Sequence, residues 1–287
     1  MAPPRTLTFG ECLFDDLPSG RRPGGGPLNA AAHLCALGTE TGIITAVGVD
    51  ESGEQLRDVM LTHGVDTRYV QTNDLPTGRV GVTVGADGEA HYQIDRPVAW
   101  DAIAAPTTPL PTDLTFLACW LLGLRDARTL ATFTRLVDDL PAGCQVVADL
   151  GLRPPHTPPE RAELLLRRAS IVKLNRGELA TLTRQLGHAG DDPRVLAEAY
   201  GLETLIVTLG PEGGAVSFRQ NVRRHCPGQP VRHVADTVGC GDAFLAGYLE
   251  ARLRGLGEPD CLAAGCRRGA YAATVAGGLP NLARPNP

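Results

Sequence analysis

Nine residues near the C-terminal end, 236–244, read DTVGCGDAF and place two glycines and an acid at the start of a predicted helix. The glycines allow the backbone N–H groups of Gly239, Cys240 and Gly241 to converge without obstruction by side chains. The helix that follows adds a partial positive charge of about half a unit at its N-terminus. Together these features make a site for an anion such as a phosphate. An alcohol that reached Asp242 could lose its proton to the carboxylate, so the stretch suits phosphoryl transfer.

The same stretch has a second interpretation, in which the glycines form a tight turn and Asp242 is an ordinary helix cap. These residues alone do not decide between the two. Other nucleotide-binding patterns are missing from the sequence, which has no G-x-x-x-x-G-K-[ST], and GCGDAF has Phe244 where a dinucleotide fingerprint needs its last glycine. A P-loop enzyme and a dinucleotide-binding fold are therefore excluded.

The elements that must position this stretch alternate short apolar strands with helices. Strands are predicted at 6–9, 42–48, 114–120, 145–150, 171–174 and 204–210, and helices at 29–38, 52–64, 126–140, 159–169, 176–187, 242–255 and 258–276. This alternation implies βαβ units and a mostly parallel sheet covered by helices on both faces. Ligands of such sheets bind at the carboxyl ends of the strands, so the loops that follow the strands are the candidate site.

Two predicted hairpins interrupt this alternation of strands and helices. Residues 78–94 alternate polar and apolar types around ADG, which predicts an antiparallel hairpin with one solvated face. Residues 213–226 predict a second hairpin at a sheet edge. In the second helix, Ser52 and Gln55 predict a capping box. The chain is therefore interpreted as one α/β domain with a small β insertion.

The composition narrows the class of protein. The 287 residues are 43% hydrophobic, enough for one large domain, and a formal net charge of −5 without a basic cluster argues against a nucleic-acid partner. Eight cysteines form no C-x-x-C pair and mostly lie in apolar runs, which predicts reduced thiols and a cytoplasmic protein. The N-terminus lacks an apolar signal region, and the longest apolar run, 114–124, is too short to cross a membrane.

A second stretch, GGGPLNAAAHLCALG at 24–38, combines a glycine pair, Pro-x-Asn and a helix, and Gly48 follows ten residues later. This stretch and DTVGCGDAFLAGYL resemble the two signatures of the ribokinase-like (PfkB-type) sugar kinase family, in the order that the family has them. The resemblance covers nearly all of residues 1–287. It implies a single kinase domain, a three-layer α/β/α sandwich with a mostly parallel central sheet, and a small β-sheet lid formed by about 11–28 and 76–98.

The resemblance assigns the residues around both signatures to the reaction and to the sugar. The catalytic base and its anion hole would be formed by Asp242, Gly239, Cys240 and Gly241. Sugar hydroxyls would be bound by residues of the first signature and of GECLFD: Asp15, Gly25, Gly26 and Asn29. Asn29 by itself also fits a helix N-cap, and the glycines beside it favour a binding role.

The resemblance also identifies a nucleotide side. KLNRGE at 173–178 resembles the N-x-x-E element, through which Asn175 and Glu178 act on Mg²⁺ and phosphate, with Glu178 reaching the ion through water. TLGPEGG at 208–214 resembles the loop next to ATP, and its candidate residues are Thr208, Gly210 and Gly213. Each element has an ordinary alternative, since an acid in the first turn of a helix is common and the loop fits a tight turn. Asp236 is a candidate site for a monovalent cation such as K⁺.

Two positions depart from the family pattern. DLGLRPP at 149–155 resembles the D-x-N-x-R segment of fructokinases, with Arg153 available to hold a phosphate or a sugar oxygen, but Gly151 replaces the asparagine. The lost amide removes hydrogen bonds from substrate placement. Cys240 stands where the family usually has alanine, and its N–H is unchanged, so the anion hole is expected to survive. A catalytic thiol is the alternative, although the nearby sequence supplies no base for it.

The segment YQIDRPVAWD at 92–101 follows the predicted lid. Arg96 and Trp100 could face the sugar, or Trp100 could pack the base of the lid. A lid would keep water away from the transferring phosphoryl group. Because an open β-sheet has unpaired edges, a homodimer through the lids is expected.

The sequence thus predicts an enzyme that uses ATP and Mg²⁺ to phosphorylate a primary hydroxyl of a small sugar, with fructose as the first choice. Kinases of 2-keto-3-deoxygluconate, ribose or a nucleoside are alternatives within the family. An alternative from another class is a non-catalytic sugar- or nucleotide-sensing protein on the same fold. The low aromatic content, 5%, disfavours a nucleoside, and the presence of Asp242 disfavours the sensor.

Overall fold

The computed structural model describes residues 5–17, 20–84, 90–188, 190–212, 214–219 and 222–281. Thirteen strands lie in these ranges: β1 (Thr6–Phe9), β2 (Leu13–Leu17), β3 (Gly20–Gly24), β4 (Thr41–Gly48), β5 (Val70–Asn73), β6 (Gly78–Val84), β7 (Ala90–Ile94), β8 (Phe116–Trp120), β9 (Gln145–Asp149), β10 (Ile171–Asn175), β11 (Thr204–Thr208), β12 (Ala215–Arg219) and β13 (Val222–Cys226). Eight α-helices accompany them: α1 (Gly26–Ala36), α2 (Glu51–Thr62), α3 (Ala127–Asp138), α4 (Pro159–Leu166), α5 (Arg176–Gln185), α6 (Pro193–Ala199), α7 (Cys240–Leu253) and α8 (Glu258–Ala273).

Nine strands form the central sheet, in the order β13-β12-β11-β10-β9-β8-β1-β4-β5. The seven strands from β11 to β5 in this order run parallel, whereas β12 and β13 form an antiparallel hairpin at one edge. The predicted edge hairpin and the mostly parallel sheet are therefore confirmed.

Helices cover both faces of this sheet. Helices α1, α2, α7 and α8 pack on one face, where side chains such as Val147, Ile171 and Ile206 are buried. Helices α3 to α6 pack on the other face, over Val146, Val172 and their neighbours. Because both faces are buried, the strands read as continuous apolar runs rather than as alternating patterns. The three-layer α/β/α sandwich predicted from the sequence is confirmed.

A separate four-stranded sheet has the order β3-β2-β6-β7. The strands β6 and β7 form the antiparallel hairpin predicted at 78–94, and β2 pairs with β6 in parallel. The strands β2 and β3 were not expected from the pattern. The chain enters this small sheet directly after β1 and leaves it into α1, so the sheet stands beside the carboxyl end of β1.

Three predicted helix starts are wrong. Helix α1 begins at Gly26, three residues before the predicted start at 29, and Gly25 is its N-cap. The N-cap of α2 is Asp50, whose carboxylate accepts a hydrogen bond from the Gly53 N–H at 2.7 Å, while Gln55 donates to Glu51 at 3.0 Å instead of joining a capping box with Ser52. Helix α7 begins at Cys240, two residues earlier than expected, because Gly239 takes a left-handed conformation and ends the loop there. No helix in the described part of the chain is long and apolar enough to span a membrane.

Candidate active site

Three side chains form one row across the sheet: the last residues of β8 and β9, and the residue two positions before the end of β10. The strand register pairs Trp120 with Asp149, and Asp149 with Lys173. Lys173 donates from Nζ to a carboxylate oxygen of Asp149 at 2.9 Å, and both side chains are almost fully buried. The row lies at the carboxyl ends of parallel strands, where ligands of open α/β sheets bind.

The first turn of α7 lies on this row. Gly239, its N-cap, has φ of 73°, and a Cβ there would stand 2.5 Å from the Cα of Gly278. A Cβ on Gly241 would stand 2.6 Å from Nζ of Lys173. Both glycines therefore allow a close approach that a side chain would block. In this turn the Cys240 N–H donates to the Thr237 carbonyl at 3.3 Å. The N-terminal N–H groups that follow it carry the partial positive charge of the helix dipole.

Asp242 is held in the first turn of α7 by two hydrogen bonds. Nδ2 of Asn29 donates to one carboxylate oxygen at 2.9 Å, and Nε1 of Trp120 donates to the other at 2.9 Å. Burial and the nearby carboxylate of Asp149 raise the pKa of Asp242 to about 6, against the opposing effects of Asn29, Lys173 and Trp120. These two donors fix the orientation of the carboxylate. A base oriented in this way, with a pKa near neutrality, suits proton transfer from an alcohol.

The glycine loop of the first signature packs against Glu11 and Trp120, at the bottom of the site. Gly25 has φ of 104°, and a Cβ there would lie 2.6 Å from the backbone oxygen of Glu11. A Cβ on Gly26 would overlap the ring of Trp120. The N-cap of α1 is Gly25, so Asn29 is free of the capping role and its side chain serves Asp242 instead.

Asp15 lies on the small sheet, next to this loop. A Cβ on Gly24 would stand 2.5 Å from a carboxylate oxygen of Asp15. Burial and the neighbouring Asp16 raise the pKa of Asp15 to about 6, while Arg153 opposes the shift. Arg153 also favours the ionised form of Glu11, so its guanidinium acts electrostatically on both acids. The structure thus brings Asp15 and Arg153 to the side of the site that holds the glycine loop.

Asn175 and Glu178 form a reciprocal capping box at the start of α5. The Glu178 N–H donates to the side chain of Asn175 at 2.9 Å, and the Asn175 N–H donates to the carboxylate of Glu178 at 2.8 Å. The other carboxylate oxygen of Glu178 accepts a hydrogen bond from the Leu152 N–H at 3.1 Å. Thr208 pairs with Asn175 in register, and Gly210 follows with φ of 62°. Gly213 lies outside the described residues.

The described side chains offer few ligands for Mg²⁺. No group of three or more His, Cys, Asp or Glu side chains suited to a metal ion occurs among the described residues. Mg²⁺ in kinases commonly uses one or two carboxylates together with substrate phosphates and water. Glu178 supplies one carboxylate, and each of its oxygens accepts one backbone N–H, from Asn175 or Leu152, which leaves a lone pair on each oxygen for a water molecule. A phosphate-bound ion held through water is therefore compatible with these residues.

Three other predicted positions have different surroundings. Arg96 pairs with Asp126 at 3.3 Å near the start of α3. Trp100 is buried and stacks on the guanidinium of Arg125 at 3.9 Å, so it packs beneath the small sheet rather than facing a ligand. Asp236 accepts hydrogen bonds from the N–H groups of Thr237, Val238 and Gly277 at 2.7 to 3.0 Å. The carboxylate of Asp236 thereby ties the loop before α7 to the loop after α8.

The thiol of Cys240 is half-buried at the start of α7. Burial, with the carboxylates of Asp236 and Asp242, raises its pKa to about 11, so the thiol is protonated at neutral pH. A nucleophilic thiolate needs the opposite shift. The catalytic-thiol alternative therefore has no support in the geometry.

Sequence reasoning missed three side chains of the site: Glu11, Trp120 and Lys173. Glu11 lies two positions after the end of β1, is 4% exposed, and accepts from the Gly26 N–H at 3.3 Å through one carboxylate oxygen. Its other oxygen is buried without a hydrogen-bond partner, and burial raises its pKa to about 8. Two features of the sequence could have identified two of these residues. Glu11 is an acid two positions after a buried strand, and Lys173 is a lysine inside the apolar strand IVKLN.

Comparison with known proteins agrees with this geometry. The sequence profile of the pfkB family of carbohydrate kinases matches residues 19–283. A fructokinase of Escherichia coli is 32% identical over 269 residues, which cover 85% of this chain and 83% of the relative. An aminoimidazole riboside kinase of Salmonella typhimurium is 30% identical over 282 residues, with 92% and 86% covered.

Among solved structures, a fructokinase of Vibrio cholerae bound to fructose, ADP and a calcium ion has a TM-score of 0.83 to this fold. It is 21% identical, and the match covers 97% of this chain and 96% of that one. At that identity the likeness supports the fold. The family profile spans most of the chain, and both signatures meet at one site, through Asn29 and Asp242. The chain therefore belongs to the pfkB family of carbohydrate kinases and is an ATP-binding sugar kinase.

Proposed function

We propose that this sugar kinase transfers the γ-phosphoryl group of ATP to a primary hydroxyl of a small sugar, with fructose as the first-choice substrate. One observation carries the proposal: the glycine loop that would hold the sugar and the helix that would hold the phosphoryl group meet in the hydrogen bond between Asn29 and Asp242. The similarity to the fructokinase of Escherichia coli supports fructose.

Asp242 acts as the general base in this proposal. Its two donors, Asn29 and Trp120, leave one lone pair on each carboxylate oxygen for the hydroxyl of a sugar. The proton of that hydroxyl passes to the carboxylate while the hydroxyl oxygen attacks the γ-phosphorus. The bond between the γ-phosphorus and the β,γ-bridging oxygen of ATP breaks, and ADP leaves with that oxygen. Because the carboxylate is already oriented, no reorganisation is needed at the moment of transfer.

The anion hole receives the charge that develops on the transferring group. The N–H groups of Gly239, Cys240, Gly241 and Asp242 lie at the positive end of α7. Mg²⁺, when bound with ATP, neutralises phosphate charge. Glu178 would hold it through water, and Asn175, Thr208, Gly210 and Gly213 would line the nucleotide.

The sugar side combines two kinds of group. Asp15 can accept hydrogen bonds from vicinal hydroxyls, and Arg153 can donate to a sugar oxygen or a phosphate. Gly25 and Gly26 would keep the backbone close to the sugar. Arg96 would join this side only by leaving its ion pair with Asp126. The small sheet, about 11–28 and 76–98, serves as a lid that excludes water during transfer.

Three further features complete the proposal. In this proposal Asp236 would bind K⁺ together with backbone carbonyls. Two lids would pair through their open strand edges to form a homodimer. The eight cysteines are free thiols, which fits a reducing compartment such as the cytoplasm. The similarity to an aminoimidazole riboside kinase makes a riboside the second candidate substrate.

A substrate panel tests the proposal. ADP release from ATP and Mg²⁺ would be measured with fructose, ribose, 2-keto-3-deoxygluconate, aminoimidazole riboside and adenosine. Fructose should give the highest kcat/KM, and product NMR should show the phosphate on a primary carbon. A riboside with a higher kcat/KM would replace fructose as the substrate, and the absence of any sugar-dependent ADP release would overturn the proposal.

Asp242→Asn supplies the control that assigns the activity to this site. Asn29 can rotate its side-chain amide, because its own oxygen is buried without a partner, and so accept from the new amide. The variant should therefore fold and bind sugar as the wild type does. Loss of a general base typically costs about 10²- to 10⁴-fold in rate. Turnover within threefold of the wild type would exclude Asp242 as the base.

A further inference from the structure

Lys173 is the only lysine in a chain that has 27 basic residues of the Lys and Arg types. The other 26 positions all carry arginine. An ammonium is a compact point charge, whereas a guanidinium is a broad planar fork. Position 173 therefore carries the most compact cation available to a side chain.

Lys173 occupies a confined, buried position beneath Gly241. The residue is 7% exposed and lies in the middle of β10, with its Nζ atom beneath the first turn of α7. Its Nζ atom fills the space that a Cβ of Gly241 would need, at 2.6 Å. Gly241 is an anion-hole residue, so the ammonium forms the floor of the hole.

More negative charge surrounds Lys173 than the single carboxylate that one ion pair requires. Asp149 is its direct partner at 2.9 Å, and the carboxylates of Glu178 and Asp242 also act on it. Burial alone would lower the pKa of Lys173, yet these carboxylates raise it above its usual value, so the side chain stays charged. Three acids share one cation before the phosphates of ATP arrive with further negative charge.

We propose that Lys173 is a further catalytic residue, whose ammonium contacts the transferring phosphoryl group from the floor of the anion hole. In the absence of nucleotide it rests on Asp149. During transfer it donates to a phosphoryl oxygen, next to the N–H of Gly241, and neutralises charge that the backbone N–H groups cannot offset alone. This inference rests on the proposed anion hole and on phosphoryl transfer, and it is independent of which sugar is the substrate.

A matched pair of variants tests this role. Lys173→Met alone would leave Asp149 buried without its partner, which is strongly destabilising. The comparison is therefore Asp149→Asn against the double variant Asp149→Asn/Lys173→Met, which both lack the Asp149 carboxylate. In Asp149→Asn the carboxylates of Glu178 and Asp242 still offset the charge of Lys173. The double variant replaces the whole ion pair with neutral groups, a change that proteins often tolerate. Thermal unfolding confirms that each variant folds.

The two variants should differ mainly in kcat. Removal of one donor from an oxyanion site typically costs about 10²- to 10³-fold, so the double variant should have at least 30-fold lower kcat than Asp149→Asn. The KM for the sugar should change by less than threefold. Equal kcat in the two variants would overturn the proposal and leave Lys173 as a structural partner of Asp149. Lys173→Arg should also lose at least tenfold in kcat, because the fork does not fit behind Gly241.

A binding measurement provides a readout other than turnover. ADP with aluminium fluoride and sugar imitates the transferring group, so its affinity should fall at least tenfold in the double variant, while the affinity for ADP alone stays within threefold. An unchanged affinity for the fluoride complex would contradict the contact. The wild type is assayed with every sugar of the panel. A wild type inactive with all of them refutes the proposed function, whereas an active wild type with unaffected variants refutes only the role of Lys173.

Discussion

The indole N–H of Trp120 donates to a carboxylate oxygen of Asp242 over 2.9 Å, although 122 positions separate the two residues in the chain. Trp120 ends β8 and Asp242 lies in the first turn of α7, so the bond joins the central sheet to the anion-hole helix. Asn29 holds the second carboxylate oxygen from α1. The base is therefore oriented by a strand end and by a helix that come from different parts of the chain.

Trp120→Phe should shift the pH dependence of the reaction. The indole N–H stabilises the ionised carboxylate, so its loss should raise the pKa of Asp242 above about 6. A base must be ionised to act, and the acidic limb of kcat/KM should therefore move to higher pH by roughly one unit. Rates between pH 5 and 9 measure the shift. Trp100→Phe, at the only other tryptophan, is the control and should leave the profile in place. Superimposable profiles for wild type and Trp120→Phe would refute the coupling.

Gly26→Ala should damage the same contact by crowding. The added Cβ would overlap the ring of Trp120 and push the indole away from Asp242. We expect a loss of about 1–3 kcal/mol in unfolding free energy from overpacking, and at least a tenfold lower kcat. Gly257→Ala is a suitable control, because its φ is −69° and its nearest neighbour would be 3.9 Å away. Steady-state kinetics and urea unfolding of both variants measure kcat and the unfolding free energy. A normal kcat in Gly26→Ala would contradict the predicted loss of the contact between Trp120 and Asp242.

Cys240→Ala should leave the reaction nearly unchanged. Burial raises the pKa of the thiol to about 11, so no thiolate is present at neutral pH, and the backbone N–H of the anion hole remains. The expected kcat lies within twofold of the wild type. Cys35→Ala removes another half-buried thiol with a raised pKa and serves as the comparison. A hundredfold loss confined to Cys240→Ala would restore thiol chemistry as an explanation.

Glu11→Gln should make stability less dependent on pH. Burial raises the pKa of Glu11 to about 8, so the folded state favours the protonated acid. The stability that Glu11 contributes is fully present below its unfolded pKa and is lost as pH rises through about 8. Between pH 5 and 8 the wild type should lose a few kcal/mol of unfolding free energy relative to Glu11→Gln. Urea unfolding at several pH values measures this difference. If the unfolding free energies of wild type and Glu11→Gln changed with pH in parallel, Glu11 would not be a protonated acid in the folded state. Glu54 is exposed, so Glu54→Gln is the control and should show the pH dependence of the wild type.

The sequence predicted the central sheet and its helices because each buried strand forms a continuous apolar run. The family resemblance assigned 11–28 to a β-sheet lid, but the residue pattern did not predict β2 and β3, whose sequences LFDDL and GRRPG are rich in charged residues, Gly and Pro. Such residues have low β-propensity, and pairing within the small sheet decides their conformation instead. Asp50 replaced Ser52 as the cap of α2 because its carboxylate also accepts from Thr77, a contact that local sequence does not reveal.

The active site was predictable only where local pattern identifies it. The glycines of both signatures are recognisable because a close approach between two backbone segments requires glycine. Asp242 is recognisable because it follows such glycines at the start of a helix. The row of Trp120, Asp149 and Lys173 depends on the register of three strands that are far apart in the chain. Register follows from packing of the whole sheet, so no single stretch specified that row.

The bond between Asn29 and Asp242 also fixes when this protein can first become active during its synthesis. The two residues are 213 positions apart, and translation at about 5–20 residues per second separates their emergence by about 10–40 s. Until α7 has emerged from the ribosome, α1 lacks the partner that covers Ala30 and Leu34. A nascent chain thus carries an assembled glycine loop without its base. Premature termination anywhere between these residues would release a polypeptide unable to consume ATP.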